Sequence, residues 1–423
     1  MTQKTFFLKT FGCQQNVADS ERIVTYYRAR GFVPTDTMDT ADIVVLNSCM
    51  VRDMAEERVY GVIHNLKKAR AAAGRPQPHI VLTGCIVGAA AREPSGALAK
   101  KLARRIPDVE LLPIEEVGFE YIPERTPTES NHAWVVISSG CNNYCAFCIV
   151  PFARGREVSR PYEDVMEEVR RLADEGYESV TLLGQNVNSY GSDLVLATKR
   201  SMTEGDGAQY VLPNGTAVEP VWVTHLGRTR IPTLFPYLLE DVARTPGIKK
   251  VTFTSSNPWD FSDTLIDVIA RNPTIDRLIH LPVQSGSTKI LKKMNRWYTR
   301  EEYIALTDAI KERVDGVRFI TDIIVGFPGE TEEDFLQTVD LAKRVGFVKS
   351  FTACYSPRPG TAATTGMEDT IPWAEKKRRW HILNEVINKS HIGATRDQDW
   401  VATRERHRVS NHHPVHNNEN GTE

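Results

Sequence analysis

Three closely spaced cysteines constrain this chain more than any other feature of its sequence. Cys141, Cys145 and Cys148, here called the loop triad, follow an apolar stretch at 133–137 that predicts a β-strand. Three thiolates at this spacing can bind three irons of one four-iron cube, which leaves the fourth iron free for a small molecule's amino and carboxylate groups. Zinc sites instead favour cysteine pairs two residues apart with a fourth ligand nearby, and the nearest following histidine is His225. The spacing therefore favours a reactive iron-sulfur cluster.

The first part of the chain alternates between strand and helix patterns. Short apolar strands are predicted over 6–9, 43–46 and 79–82, and amphipathic helices over 18–30 and 54–73 lie between them. This alternation predicts an α/β domain with a parallel sheet and helices on its faces.

A second set of cysteines recurs within that domain. Cys13, Cys49 and Cys85, here called the sheet triad, are evenly spaced, and each lies a few residues beyond the carboxyl end of a predicted strand. Because these ends lie side by side in a parallel sheet and form its usual ligand site, we expect the three thiols to converge on one cluster. Three unrelated buried cysteines are the alternative, but recurrence at the same point of three successive units argues against it.

Beyond a proline-rich linker, strand and helix patterns alternate about six more times. Successive crossovers between parallel strands predict a partial (β/α)6 barrel whose reactive end lies at the carboxyl ends of its strands. Cys141 lies at one such end. We therefore predict an N-terminal domain over 1–120, a second domain over 127–365, and a short helix and tail over 366–423.

Polar side chains at other predicted strand ends are candidate ligand groups. Their amides and hydroxyls suit a nucleoside-type molecule, although helix caps and turns use the same residue types. These strand-end candidates are Gln185, Asn186, Ser255, Gln284 and Ser285.

Two segments depart from the alternation. Residues 192–233 lose apolar periodicity and are interpreted as an insertion, with a predicted hairpin turn at 212–216. A helix is predicted over 373–388, whereas residues 393–423 are polar, rich in histidine and without period, so we expect disorder there. Nothing after Ser390 shows the alternation that an all-β domain requires.

Charge and hydropathy restrict the partners. The chain has 52 basic and 54 acidic residues and a formal net charge of -2, so no overall field attracts a nucleic acid. Arg154, Arg156 and Arg160 form a dense basic group after the loop triad, which suits contact with RNA phosphate or a solvated face. No apolar run approaches the roughly 20 residues of a membrane span, and no signal-type core is visible. We predict a cytoplasmic protein without a membrane partner.

Taken together, these features make the chain resemble the methylthiotransferase family of radical S-adenosylmethionine (SAM) enzymes over about 4–385. The resemblance rests on both cysteine triads, on residues 152–161, and on four further stretches of sequence. These are TFGCQQNVADSE at 10–21, LLGQNVNSYG at 182–191, LPVQSGS at 281–287 and TDIIVGFPGET at 321–331.

The resemblance implies a radical SAM barrel as the second domain and two 4Fe-4S clusters as cofactors. The loop triad would hold the cluster that binds SAM, and the sheet triad would hold the other, so all six cysteines would act in catalysis through their clusters. An electron passed to SAM would yield a 5'-deoxyadenosyl radical that takes hydrogen from the substrate. The second cluster would then deliver sulfur carrying a methyl group from another SAM. The five strand-end candidates would contact SAM.

The implied activity is transfer of a methylthio group to C2 of an adenosine in tRNA. The stretch Asn186-Val187-Asn188-Ser189-Tyr190 favours the members that act on N6-dimethylallyladenosine at position 37, next to the anticodon. Besides tRNA, an electron donor and a sulfur source are implied partners, and we expect a monomer. The family ends in a small all-β RNA-binding domain, which the pattern after Ser390 does not predict here.

Other interpretations stay open at this stage. Enzymes of the same chemistry modify an aspartate of a ribosomal protein or a differently decorated adenosine of tRNA. From another class, the chain could be a non-catalytic iron-sulfur protein that binds RNA. The presence of all six cysteines argues against that last interpretation.

Overall fold

The computed structural model describes residues 3–50, 53–119, 121, 123, 131–198, 203–207, 209–225 and 229–389. These residues form two compact units. One unit consists of residues 3–92 and 96–123, and the other consists of residues 93–95 and 131–389.

The first unit contains five strands and five helices. The strands are β1 (Thr5–Phe11), β2 (Val33–Pro34), β3 (Ile43–Ser48), β4 (His79–Gly84) and β5 (Glu110–Leu112). The helices are α1 (Gln14–Arg28), α2 (Asp53–Ala72), α3 (Cys85–Arg92), α4 (Ala97–Arg105) and α5 (Ile114–Val117).

All five strands are parallel and lie in the order β2-β1-β3-β4-β5. The register aligns Phe11 with Ser48 and Ser48 with Gly84, so the three central strands end in one row. The aliphatic side chains of β3 are buried at successive positions, as expected for a parallel strand with helices on both faces. The predicted parallel α/β domain is confirmed.

Helix α1 begins earlier than the sequence pattern predicted. It starts at Gln14 rather than at Ala18, because the Asn16 side chain accepts a hydrogen bond from the Cys13 backbone N–H (3.4 Å) and caps the first turn. The later turns of α1 pack against the sheet. The buried core between them includes Phe6, Ile23, Tyr27, Val45, Val81 and Leu112.

The second unit contains twelve strands among its described residues. They are β6 (His132–Val136), β7 (Ser138–Ser139), β8 (Val158–Ser159), β9 (Ser179–Leu183), β10 (Tyr210–Val211), β11 (Ala217–Val218), β12 (Val221–His225), β13 (Thr229–Thr233), β14 (Lys250–Phe253), β15 (Leu278–His280), β16 (Arg318–Val325) and β17 (Lys349–Cys354). Its helices are α6 (Val150–Arg154), α7 (Tyr162–Asp174), α8 (Ser192–Thr198), α9 (Phe235–Ala243), α10 (Asp263–Arg271), α11 (Thr288–Lys293), α12 (Arg300–Arg313), α13 (Glu332–Val345), α14 (Ala362–Gly366) and α15 (Trp373–Leu383).

Six of these strands form an open parallel barrel. Three pair as β6-β9-β14 and three as β15-β16-β17, and a parallel bridge between Val251 and Ile275 links the two groups. The strands therefore follow one another in chain order. Within the described residues no pairing joins β17 back to β6. The predicted partial (β/α)6 barrel is confirmed.

The predicted insertion contains more structure than its sequence suggested. The hairpin predicted around 212–216 is present, with β10 and β11 antiparallel. In addition, α8 opens the segment, and a second antiparallel hairpin of β12 and β13 closes it, with Val221 opposite Thr233. The overlooked sequence signal was the run VWVT at 221–224, which is rich in β-branched and aromatic residues.

Helix α15 is followed by a wider turn of π type over Asn384–Lys389. Together they match the helix predicted at 373–388. The tail predicted to be disordered, 393–423, lies outside the described residues. None of the described helices combines the length and apolar character that a bilayer span requires.

Gly286 lies against helix α13, so a substitution at this position tests how closely the loop and the helix pack. A Cβ at this position would lie 2.4 Å from the Cα of Thr338 and 2.6 Å from the Gln337 carbonyl oxygen. Because both are backbone atoms, Gly286→Ala must displace the loop or the helix, and we expect it to lower the free energy of unfolding by about 3 kcal/mol. All seven tryptophans lie at or after Trp134, so fluorescence during denaturant unfolding reports on this unit.

Gly176→Ala is the matched control for this substitution. Gly176 has a φ of 90°, which strains alanine, but nothing lies within 4 Å of the added Cβ. We expect a loss of only about 1 kcal/mol from the backbone strain. Equal losses in the two variants would contradict the close contact at Gly286.

Candidate cluster sites

The sheet triad is brought together at the carboxyl edge of the parallel sheet. Cys49 and Cys85 directly follow β3 and β4, and Cys13 comes two residues after β1. The Cys49 thiol is hydrogen bonded to the thiols of Cys13 and Cys85, and these bonds together with burial raise its pKa well above the usual range. Because β1, β3 and β4 are adjacent, three residues far apart in sequence share one site.

A buried amide network supports the sheet triad. Asn47 Nδ2 donates to the Asn16 carbonyl (2.8 Å) and to Ser20 Oγ (2.9 Å), and Asn16 Nδ2 donates to Asn47 Oδ1 (3.1 Å). A Cβ at Gly84 would lie 2.3 Å from Asn47 Oδ1, so glycine is required beside the network. Sequence analysis assigned no role to either asparagine, although Asn16 belongs to the stretch at 10–21. For Asn47 the available signal was a polar residue near the end of an otherwise aliphatic strand.

The loop triad is built on the segment after β7. Gly140 has a φ of 84°, and a Cβ there would lie 2.0 Å from the Arg156 carbonyl oxygen, so another side chain would force the loop apart. The Cys148 backbone N–H donates to the Cys145 carbonyl (2.9 Å), which closes a tight turn. The local chain therefore holds the three thiols in one short segment.

Burial governs the charge of two thiols of the loop triad, Cys141 and Cys148. It raises the pKa of Cys141 well above the usual range and that of Cys148 to about 12. These thiols would stay protonated at neutral pH in the protein alone, and metal binding is what favours their thiolate form. This donor chemistry fits a bound metal cluster.

The number of cysteines in each triad suits a four-iron cube. Among the described residues no three His, Cys, Asp or Glu side chains are placed to hold one metal ion. In a four-iron cube each cysteine binds its own iron, so three cysteines can hold a cube and leave its fourth iron open.

A buried cation contacts the loop triad. Arg296 is 6% exposed, and its Nη1 donates a hydrogen bond to Cys145 Sγ (3.4 Å). The two residues are 151 positions apart in the chain, and sequence analysis did not single out the arginine. Only the barrel fold places it beside the sulfur.

Three of the strand-end candidates are distinguished by the structure, one by a hydrogen bond to the loop triad's segment and two by a positive φ. Gln185 Oε1 accepts a hydrogen bond from the Gly140 N–H (2.6 Å) and so braces the loop triad. Ser255 and Gln284, after β14 and β15, have positive φ values of 65° and 69°. Strained backbone of this kind clusters at ligand sites.

The other two strand-end candidates are fully buried. Asn186 Nδ2 donates to Asp260 Oδ2 (2.7 Å), and Ser285 Oγ accepts from the Ser287 N–H (3.2 Å). Asn186 therefore links its loop to the segment that carries Asp260, whereas Ser285 braces its own loop. Contact of any of the five candidates with SAM stays a prediction.

Two carboxyl groups that sequence analysis missed belong to the same unit, and of these Asp260 is fully buried and Glu157 is partly buried. Burial raises the pKa of Glu157 and that of Asp260 to about 8 each, and Glu157 is near enough to Cys141 to raise the pKa of that thiol further. His225 of the second inserted hairpin lies 4.0 Å (Nδ1 to Oδ2) from Asp260, and burial lowers its pKa. All three groups are therefore largely uncharged at neutral pH.

The basic group predicted after the loop triad is mostly inside the protein. Arg160 is 4% exposed and pairs with Glu168 of α7 (2.6 Å), and Arg154 is 5% exposed. Arg156 is exposed. A solvated or RNA-contacting face is therefore wrong for Arg154 and Arg160, because their side chains are withdrawn from solvent.

Glu157 makes the stability of the second unit depend on pH. Folding raises its pKa from 4.5 to about 8, so between these values the folded chain keeps a proton that the unfolded chain has released. The free energy of unfolding should therefore fall as the pH rises from about 5 to about 8, by up to about 1.4 kcal/mol per pH unit. Glu157→Gln retains an acceptor for the Ser189 hydroxyl but cannot ionise, so it should flatten this slope.

Tryptophan-detected denaturant unfolding at about pH 6 and about pH 8 measures the slope. Glu163→Gln is the control, because this carboxyl on α7 is half-exposed and should leave the slope unchanged. The slope that survives in Glu157→Gln is expected to combine Asp260, whose raised pKa acts in the same direction, with His225, whose lowered pKa acts in the opposite direction. A Glu157→Gln slope equal to that of the parent would contradict the assignment.

Sequence comparisons match both units to known families. The radical SAM superfamily matches residues 135–342, and an uncharacterised family designated UPF0004 matches residues 5–103. A tRNA-2-methylthio-N(6)-dimethylallyladenosine synthase of Thermotoga petrophila is 39% identical over 413 residues, which cover 92% of this chain and 84% of that protein. The synthase of the same name from Carboxydothermus hydrogenoformans is 39% identical over 427 residues, covering 94% and 87% of the two chains.

Solved structures with a similar fold have low sequence identity. The radical SAM methyltransferase TsrM of Kitasatospora setae superposes with a TM-score of 0.54 at 15% identity, over 85% of this chain and 75% of that one. The cobalamin-dependent radical SAM enzyme OxsB gives a TM-score of 0.51 at 12% identity, over 91% and 56%. These similarities show a shared fold.

Proposed function

We propose that this chain, which belongs to the family of the tRNA-2-methylthio-N(6)-dimethylallyladenosine synthases, transfers a methylthio group to C2 of N6-dimethylallyladenosine in tRNA. The observation that carries this proposal is the presence of two cysteine triads in separate units, one at the carboxyl ends of β1, β3 and β4 and the other in the loop that follows β6 and β7. A protein with a single cluster would need only one of them. The modified nucleoside is proposed to be at position 37, next to the anticodon.

The cofactors are two 4Fe-4S clusters and SAM, in keeping with the radical SAM superfamily and the methylthiotransferase relatives. We assign one cluster to the sheet triad and the SAM-binding cluster to the loop triad. When bound, these groups supply the electron that cleaves SAM and the sulfur that is transferred.

The chain's own residues hold and orient these groups. Gln185 fixes the backbone that precedes Cys141 through its hydrogen bond to Gly140, and the Asn16–Asn47 pair fixes the turns that carry the sheet triad. Ser255 and Gln284 are proposed to contact SAM from the ends of β14 and β15, and Asn186 and Ser285 to contact it from the adjoining loops.

The proposed partners follow from the reaction. The substrate is tRNA, and an electron donor and a sulfur source complete the chemistry. Arg156, the exposed member of the arginine group, is a candidate contact for tRNA phosphate. A monomer in the cytoplasm is the proposed working form. The proposed domains are 1–120 for the sheet triad and 127–365 for the radical SAM barrel, with the insertion at 192–233.

Iron content tests the assignment of the two clusters. Anaerobically reconstituted protein should bind about eight irons, as two cubes of four. Replacing the whole loop triad by alanine should leave about half of this iron, and replacing the whole sheet triad should do the same. Cys354→Ala removes the seventh cysteine and should retain all of it. Full iron content in either triple variant would show that the assignment is wrong.

A product assay tests the function itself. Reconstituted protein with SAM, a reductant and tRNA carrying N6-dimethylallyladenosine should yield the 2-methylthio nucleoside, detected by mass spectrometry of digested tRNA. Cys49→Ala should still form 5'-deoxyadenosine but transfer no methylthio group, because its loop triad is intact in a separate unit. Cys145→Ala should lose both products.

Substrate and variant controls accompany the assay. The same tRNA without the dimethylallyl group should stay unmodified, which separates this function from action on another adenosine. Methylthio transfer by Cys49→Ala at the parental rate would contradict the role of the sheet triad. Absence of the 2-methylthio nucleoside, with both clusters present, would contradict the proposed function.

A further inference from the structure

We propose that Arg296 sets the reduction potential of the cluster held by the loop triad, by directing a hydrogen bond and a fixed positive charge at Cys145. The inference rests on the proposed function for the cluster itself and adds a residue that tunes it. Arg296 is a positioning and tuning residue, because it acts on the cluster through the cysteine sulfur.

The guanidinium of Arg296 is held by four hydrogen-bond acceptors. Nη1 donates to Cys145 Sγ (3.4 Å) and to Asn257 Oδ1 (2.9 Å). Nη2 donates to the Pro282 carbonyl (2.9 Å), and Nε donates to the Tyr298 hydroxyl (3.2 Å). A planar fork satisfied at this many positions has little freedom to turn away from the sulfur.

Aromatic rings shield the same group from water. The guanidinium carbon lies 4.6 Å from the ring centre of Trp259 and 5.3 Å from that of Tyr298. The side chain is 6% exposed. Because water screens a charge much less in such surroundings, the effect of Arg296 on the neighbouring sulfur is stronger than at a surface.

The two residues before Arg296, Met294 and Asn295, are hydrogen bonded to the residues on both sides of Cys145. The Ala146 N–H donates to the Met294 carbonyl (2.9 Å). Asn295, which has a positive φ of 57°, donates from Nδ2 to the Tyr144 carbonyl (3.0 Å). The distance between the guanidinium and the Cys145 sulfur is therefore set by the fold as well as by the side chain.

A buried carboxyl of the same unit offsets little of the Arg296 charge. The charge of Arg296 lowers the pKa of the fully buried Asp260, but burial is the larger effect and raises that pKa to about 8. At neutral pH this carboxyl is mainly protonated. The positive charge of Arg296 is therefore largely retained beside the Cys145 sulfur, which lies 3.4 Å from Nη1.

The direction of the effect follows from the charge change on reduction. The cluster takes up one electron from the electron donor of the proposed function, and no bond forms or breaks in that step. A positive charge and an N–H donor at a ligand sulfur stabilise the more negative, reduced form. Arg296 should therefore make the cluster easier to reduce.

The test uses the full-length chain with the sheet triad replaced by alanine, so that one cluster remains to be measured. The midpoint potential is obtained from an anaerobic redox titration followed by electron paramagnetic resonance. Arg296→Met, which removes both charge and donor, should shift the potential to a more negative value. Arg296→Lys keeps the charge without the planar fork and should lie between Arg296→Met and the parent.

Arg379→Met is the matched control. Arg379 is in the same unit, is 5% exposed and pairs with Glu330 (2.7 Å) rather than with a cysteine. Its loss removes one equally buried arginine and should leave the potential at the parental value. An equal shift in Arg379→Met would overturn the proposal, because the effect would then be general loosening of the barrel.

The remaining outcomes also decide the matter. Parental potentials in both Arg296→Met and Arg296→Lys would overturn the proposal. Should Arg296→Met fail to fold or to bind iron, Arg296→Lys is compared alone with the parent, and an unchanged potential overturns the proposal in the same way. Should the parent itself bind no cluster, the cluster assignment of the proposed function is wrong, and this inference falls with it.

Discussion

Burial of ionisable thiols at the ends of parallel strands is the constraint on which the rest of this structure depends. Cys49 is 1% exposed and Cys141 is 8% exposed, and in both the pKa is raised well above the usual range. A thiolate in such a place costs several kcal/mol unless a cation neutralises it. Many contacts around the triads therefore position the cysteine sulfur atoms, restrain them or balance their charge.

The two units bring three thiols together in different ways. In the first unit the order of the strands brings them together, because β1, β3 and β4 are neighbours and end in one row. In the second unit one short loop carries all three thiols, and it is shaped by the tight turn between Cys145 and Cys148 and by the close approach of Gly140 to the Arg156 carbonyl. The first arrangement needs the whole sheet, whereas the second is largely local.

Side chains remote in sequence complete both sites. Asn16 and Asn47 join the turns beneath the sheet triad, and Arg296 brings a buried positive charge to the loop triad. The second inserted hairpin adds His225 beside Asp260. In each case a polar group is buried together with its partner. Because a buried polar group without its hydrogen-bond partner costs free energy, these contacts hold the site in one arrangement.

The sequence by itself determined the two cysteine triads, the parallel α/β first unit and the open barrel, because each depends on regular spacing along the chain. Strand periodicity placed the sheet triad at strand ends, and the short spacing of the loop triad needed no tertiary information. The inserted hairpin of β12 and β13 was missed because its strands are short and only partly buried.

Only the tertiary structure decided which polar groups surround the thiols. Arg160 looked like part of an exposed basic group but is buried against Glu168, since its local sequence does not reveal that α7 covers it. Arg296 gave no recognisable sequence signal, because its contact with Cys145 spans 151 positions and forms only when the barrel folds. Spacing along the chain predicts where ligands lie, whereas burial and charge balance depend on elements that meet only after folding.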